Sequence, residues 1–147
     1  MQEISLLNSV IGPVMRGPSS SHCAAPYMMA KVARELSCSN GEVLKKAIVR
    51  FDPRGSFAPV YQAQSSDENF AAGFAGAALT DTDYRDILPR VTRGEGFQFG
   101  VEIIELENNN HPNRVDLELT VTERNGMDRA DLYAGASVGG GMYYIDA

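Results

Sequence analysis

The stretch Val115-Asp116-Leu117-Glu118-Leu119-Thr120-Val121-Thr122 alternates apolar and polar side chains without a break. Successive side chains of a strand point to opposite faces, so this run predicts a β-strand with one buried and one wet face. Working outward, Asn125-Gly126 is a strong hairpin signal, because the tight turn needs residues that accept positive φ. The segment from Asp128 to Val138 should therefore pair back, and Gly139-Gly140-Gly141 should turn the chain into a last short strand, Met142 to Ile145. Upstream, Phe97 to Leu106 and Ala47 to Phe51 are further strand candidates. The first precedes the loop Glu107 to Asn113, and the second is ended by Asp52-Pro53-Arg54-Gly55.

Helices fill the remainder. Met28, Met29, Val32 and Leu36 recur at helical spacing, which predicts a helix with those residues inward. Pro26 belongs in its first turn, and Ser39-Asn40-Gly41 should end it. Asp67 is a candidate cap for a small-residue helix over Glu68 to Leu79, in which Gly73 and Gly76 suggest close packing on another backbone. Thr82 or Asp83 should cap a helix running toward Val91, interrupted by Pro89. The first 14 residues suit a short helix or strand. Together these elements predict an α+β fold, a mostly antiparallel sheet with two or three helices packed on one face, in a single domain over residues 1–147.

Composition narrows the class. The chain has 147 residues, 44% hydrophobic and 22% charged, so a globular fold is expected rather than disorder. Its net charge of −6 argues against nucleic acid as a partner. No apolar run reaches the ~20 residues of a membrane helix, and no secretory signal is evident, so no membrane association and a cytoplasmic location are expected. Cys23 and Cys38 are the two cysteines, a number that leaves a disulfide open but is too few for the usual four ligands of an iron-sulfur cluster.

The chemistry-bearing stretch is Ile11-Gly-Pro-Val-Met-Arg-Gly-Pro-Ser-Ser-Ser-His22. Ser19, Ser20 and Ser21 bring three hydroxyls beside a helix start, where free N–H groups suit a carboxylate or phosphate. His22 is placed to hold or move a proton near neutral pH. The alternative is a serine-rich turn that only caps the helix. Cys23 is either a thiolate favoured by the helix start or a packed small residue.

This stretch resembles the signature near the start of the beta chain, or N-terminal domain, of iron-sulfur-dependent L-serine dehydratases. Three further segments resemble that family in the same order: Gly55-Ser56-Phe57-Ala58, then His111-Pro112-Asn113, then Ala136-Ser137-Val138-Gly139-Gly140-Gly141. The resemblance implies a beta-type subunit of a lyase that eliminates a β-leaving group from a small amino or hydroxy acid. A [4Fe-4S] cluster would sit on a cluster-bearing alpha-type partner and act as a Lewis acid on the leaving hydroxyl. It leaves a homodimer open. By resemblance, His22 and His111 are the catalytic candidates, His111 lining the entrance. Ser19, Ser20, Ser21, Gln64, Ser66, Asp67, Gly139 and Gly140 are the substrate-binding candidates, with no metal ligand in this chain.

One departure stands out. Where the family carries a G-H-G-T-D segment, this chain has Ala63-Gln64-Ser65-Ser66-Asp67, so glutamine replaces a histidine suited to proton transfer. Three readings follow: a different β-substituted substrate, a structural or regulatory remnant, or a serine dehydratase subunit using another histidine. A rival of another class is a non-catalytic module that binds a small amino acid, like the allosteric domain of some phosphoglycerate dehydrogenases.

Overall fold

The computed structural model describes residues 12–146. The expected element over the first 14 residues lies almost wholly outside them. The alternating stretch is strand β3 (Arg114–Thr122), with Val115, Leu117, Leu119 and Val121 buried and the residues between them half-buried. It pairs antiparallel with β4 (Asp128–Gly139) across the Asn125-Gly126 turn, and β4 pairs antiparallel with β5 (Met142–Asp146) across the glycine turn. On its other side β3 pairs antiparallel with β1 (Val43–Phe51).

Strand β2 (Gln98–Ile103) pairs with β1, in parallel, rather than with β3 across the 107–113 loop. The five-stranded order is β2-β1-β3-β4-β5. The single parallel pair arises because the chain leaves β1 through helical segments before returning as β2, the long crossover that parallel strands need. The sheet is otherwise antiparallel, as expected.

Helix α1 (Ala25–Ser37) has Pro26 in its first turn and stops before Ser39, as the sequence predicts. Its inward face is different from the expected one. Ala25, Met29, Ala30 and Ala33 are buried, whereas Met28 and Leu36 are exposed. Small residues win that face because α2 (Ser66–Ala75) lies so close: a Cβ on Gly73 would strike the Tyr27 carbonyl and meet the Ala30 methyl at 2.7 Å. Helix α2 is shorter than predicted, closing at Gly76 in the left-handed region (φ 71°). Gly76 is therefore a C-terminal cap, and what lies against it is the Arg34 guanidinium, 3.2 Å from where a Cβ would sit, rather than another backbone. Asp67 is not the N-terminal cap either: Ser65 holds that position (φ 59°), and the Asp67 carboxylate accepts the Glu68 N–H from within the first turn.

A 3-10 turn (Tyr84–Asp86) leads into α3 (Ile87–Thr92). Pro89 does not interrupt α3, because it falls in the first turn, where its missing N–H has no partner to lose. The core lies between the helices and one sheet face. Phe51 stacks on Phe57 at 5.0 Å, with Phe70 against both, and Phe74 meets Phe99. The opposite face carries ion pairs from Arg50 to Glu102 and Glu118 and from Arg114 to Asp116.

Candidate active site at one end of the sheet

The strand registers decide where the quoted segments meet. Phe51 lies opposite Val115, Arg114 opposite Ala136, and Ser137 opposite Tyr143. The end of β1, the start of β3, the end of β4 and the start of β5 therefore share one end of the sheet. Gly55-Ser56-Phe57-Ala58, His111-Pro112-Asn113 and Ser137 to Gly141 all emerge there. The start of α1 arrives at the same end: a Cβ on Gly141 would meet Pro13 at 2.6 Å and Ala24 at 3.5 Å.

The serine-rich loop enters α1 through a five-residue π-turn, Ser20–Ala24. Ser19 precedes it in extended backbone, and its Oγ accepts the His22 backbone N–H at 3.2 Å while lying 3.3 Å from the His22 ring Nδ1. Ser19 thus caps the turn and orients the imidazole at once. Ser20 and Ser21 are half-buried, so none of the three serines faces open solvent. The His22 ring rests on Phe57, centroids 4.6 Å apart. Burial lowers the His22 pKa from its ordinary value, and the Ser56 backbone only partly offsets that effect. The ring is therefore held neutral, with Nε2 buried and unpaired.

Cys23 is fully buried and its thiol donates to the Gln64 carbonyl at 3.0 Å. Burial raises its pKa, so it is a packed thiol rather than a thiolate. That contact brings the Gln64 backbone against the loop, and Gly17 (φ 119°) lets the chain pass, since a Cβ there would strike the Cys23 sulfur at 2.5 Å. Ser66 is buried beneath, its hydroxyl unpaired. Asp67 is directed elsewhere, into a cleft lined by Tyr61, Gln62, Leu88, Thr92 and Phe99, where burial raises its pKa.

Two residues absent from the sequence-derived candidates tie the segments together. Ser56 Oγ donates to Asn113 Oδ1, and Asn113 Nδ2 donates to the Ser137 carbonyl at 3.0 Å. The Asn113 backbone N–H donates to His111 Nδ1 at 3.1 Å, and the half-buried His111 ring meets Tyr144 edge-on. A second buried set secures the loop from below. Asn69 donates to the Arg16 and Ser65 carbonyls and accepts the Tyr84 hydroxyl at 2.9 Å. Arg16 stacks over the Tyr84 ring and donates to the Leu79 and Asp81 carbonyls. Only the motif segments hinted at Ser56 and Asn113; nothing local marks Asn69 or Tyr84, which join the loop from over 50 residues away.

A Cβ on Gly139 or Gly140 (φ 101° and 62°) would meet no neighbouring atom, so these two residues serve the turn's backbone; Gly141 alone is also required by a close contact. Among the described residues no three His, Cys, Asp or Glu side chains cluster as a metal site. Cys23 and Cys38 lie at opposite ends of α1, roughly 20 Å apart by helical rise, with Cys23 already bonded to Gln64. They fit neither a shared cluster nor a disulfide with each other.

These features define an α+β domain in which four loops meet at one sheet end as a polar, partly buried cluster. Over 136 residues, 92% of its length, the chain is 30% identical to the "L-serine dehydratase, beta chain" of Peptoniphilus asaccharolyticus. Over 137 residues, also 92% of its length, it is 34% identical to the "Probable L-serine dehydratase, beta chain" of Bacillus subtilis (strain 168). It is a divergent relative of the L-serine dehydratase beta chains. The chain spans only 57% and 56% of those two proteins. No family model matches it. No helix among the described residues is long and apolar enough to cross a membrane.

Proposed function

We propose that this chain is the beta-type part of a [4Fe-4S]-dependent lyase that eliminates a β-leaving group from a small amino or hydroxy acid, in the manner of L-serine dehydratases. The observation that carries this reading is the convergence of all four family-like segments on one sheet end through His22–Phe57, Ser56–Asn113 and Asn113–Ser137. Two of the buried unpaired polar atoms, His22 Nε2 and Ser137 Oγ, belong to those segments. An unpartnered buried polar atom costs about 1–3 kcal/mol, which a bound polar ligand would offset.

The chain's own cysteines do not suit the cluster, so an alpha-type partner chain would hold it. This chain's part is to receive and orient the substrate. Ser20 and Ser21 hydroxyls would bind its carboxylate, with Ser19 holding His22. The backbone around Gln64 and the Gly139-Gly140 turn would shape the pocket wall, and Ser66 would support it, whereas Asp67 faces a separate cleft. His22, kept neutral, would accept or return a proton. The cytoplasm, where cysteine thiols stay reduced and available to ligate a cluster, is the matching compartment.

Anaerobic co-expression with a cluster-bearing alpha-type chain, followed by assay of 2-oxo acid release over a panel of β-hydroxy and β-substituted amino acids, tests the proposal. Turnover that requires both chains supports it. Release of no 2-oxo acid by a complex carrying an intact cluster refutes it, and tight binding of a free amino acid by this chain alone would replace it with a binding module.

A further inference from the structure

Asn113 occupies the centre of the converged loops and makes three bonds to two of the others. Its Oδ1 accepts the Ser56 hydroxyl, its Nδ2 donates to the Ser137 carbonyl, and its carbonyl accepts the Ser137 N–H at 3.3 Å. The same loop is pinned a second time by the Ser56 N–H, which donates to the Pro112 carbonyl at 2.8 Å. Every polar group of the Asn113 side chain is therefore committed to a different segment, and none to solvent-facing chemistry. What remains is its backbone N–H, which points at His111 Nδ1.

That last bond constrains the imidazole. A neutral ring has one donor and one acceptor nitrogen. If Nδ1 accepts from an amide that can only donate, the ring proton resides on Nε2. Protonating Nδ1 would set two donors against each other. A neutral His111 so held has no free lone pair with which to take a proton, but it has an N–H to offer. We infer that Asn113 is the positioning residue of His111, fixing the ring so that Nε2–H is a hydrogen-bond donor to an anionic oxygen of the bound substrate, and that His111 is not the base. The inference rests on the proposed function for the identity of that substrate, but the geometry of the ring does not. It also divides the two histidines by task, leaving His22, whose Nδ1 is shared with a hydroxyl that can either donate or accept, as the one able to present a lone pair.

The test has two arms. In the first, the chain alone is labelled with nitrogen-15 and studied by NMR. Its two histidines are assigned with His22→Gln. The expected result is a neutral His111 protonated on Nε2, with a nitrogen–nitrogen coupling across the hydrogen bond from the Asn113 amide to Nδ1. Asn113→Ala should abolish that coupling while the fold, read by circular dichroism, persists. Asn113→Asp, which keeps the acceptor for Ser56 but loses the donor to Ser137, should retain it in part. Should Asn113→Ala fail to fold, Ser56→Ala removes one arm of the clamp alone and should weaken the coupling. A wild-type His111 without the coupling, or one that keeps it unchanged in Asn113→Ala or Ser56→Ala, overturns the inference.

The second arm uses the complex with the alpha-type chain. Asn113→Ala and His111→Ala should each lower kcat by about 10²- to 10³-fold, and the double variant should lose no more than the worse single one, because one residue acts through the other. Losses that multiply would mean that Asn113 serves only the fold, and would overturn the inference. A coupling that is present and Asn113-dependent in a complex that releases no 2-oxo acid would leave the positioning intact and remove the lyase reading instead.

Discussion

The imidazole of His22 lies on the ring of Phe57, centroids 4.6 Å apart and tilted by 51°. One residue comes from the serine loop and the other from the turn after β1, so this contact joins the two family-like segments directly. Phe57 in turn stacks on Phe51 in the core, which makes the site an extension of the hydrophobic interior rather than an appendage to it.

The first prediction concerns the charge state of His22. Its folded pKa lies below the ordinary 6.5 because the ring is buried, so the unfolded chain binds the proton more readily. Stability is then fully present above about 6.5 and declines as the pH falls through the folded pKa. Chemical denaturation between about pH 5 and 7.5 should show this slope, and His22→Gln should flatten it. Phe57→Leu, by loosening the contact, should move the NMR titration of His22 upward. A His22 that titrates at its ordinary value in the wild-type chain contradicts the packing described. Phe57→Ala should cost about 3–5 kcal/mol, as expected for a fully buried ring.

Asp52 organises the turn from which Gly55 to Ala58 departs. Its carboxylate accepts the Arg54 N–H at 2.9 Å and the Leu106 N–H at 3.1 Å, and these amide bonds hold its pKa at about 2, below the ordinary 3.8. A depressed carboxylate stabilises the fold above its unfolded pKa, and that contribution disappears as the pH falls from about 4 toward 2. Asp52→Asn should lower Tm at neutral pH and leave a shallower acid limb. Melting curves collected across that range would show it, and an unchanged acid limb would count against the role.

Replacing glycine by alanine inside a helix ordinarily stabilises by about 0.5–1 kcal/mol. At Gly73 the sign should reverse, because the new methyl would strike the Tyr27 carbonyl and Ala30. Overpacking of this kind costs about 1–3 kcal/mol, so Gly73→Ala should melt several degrees lower. A higher Tm would show that α1 and α2 are not so closely packed.

Gln64 stands where the family resemblance places a histidine. In the partnered complex, Gln64→His should raise turnover of L-serine by about 10²-fold or more, the usual worth of a positioned acid–base group. Steady-state assay of 2-oxo acid release reads it out. A rate left unchanged would mean that the proton is handled by another group, with His22 the first to test.

Much of the fold is legible in local rules. Strict alternation in Val115 to Thr122, the Asn125-Gly126 turn and Pro26 with the Ser39-Asn40-Gly41 stop each express one such rule, and each element stands where that rule puts it. The misreadings share a cause. Met28 and Leu36 look like core by periodicity, but the neighbouring backbone leaves room for Ala30 and Ala33 instead. Asp67 looks like a cap by type, yet the chain enters α2 earlier, through Ser65 in the left-handed region.

The amino-acid sequence by itself determined the strands, the hairpins, the sparse cysteines and the four segments that mark the kinship, because these depend on residues near one another along the chain. The tertiary structure alone decided that β2 joins β1 in parallel, that His22 is buried on Phe57, and that Ser56, Asn113 and Ser137 form one clamp. The clamp's bonds link residues 24 and 57 positions apart, and no local pattern specifies which distant partner a buried ring or amide will find. Strand register does so: it brings the ends of β1, β3, β4 and β5 to one side, and the polar groups carried there must then satisfy one another or a ligand.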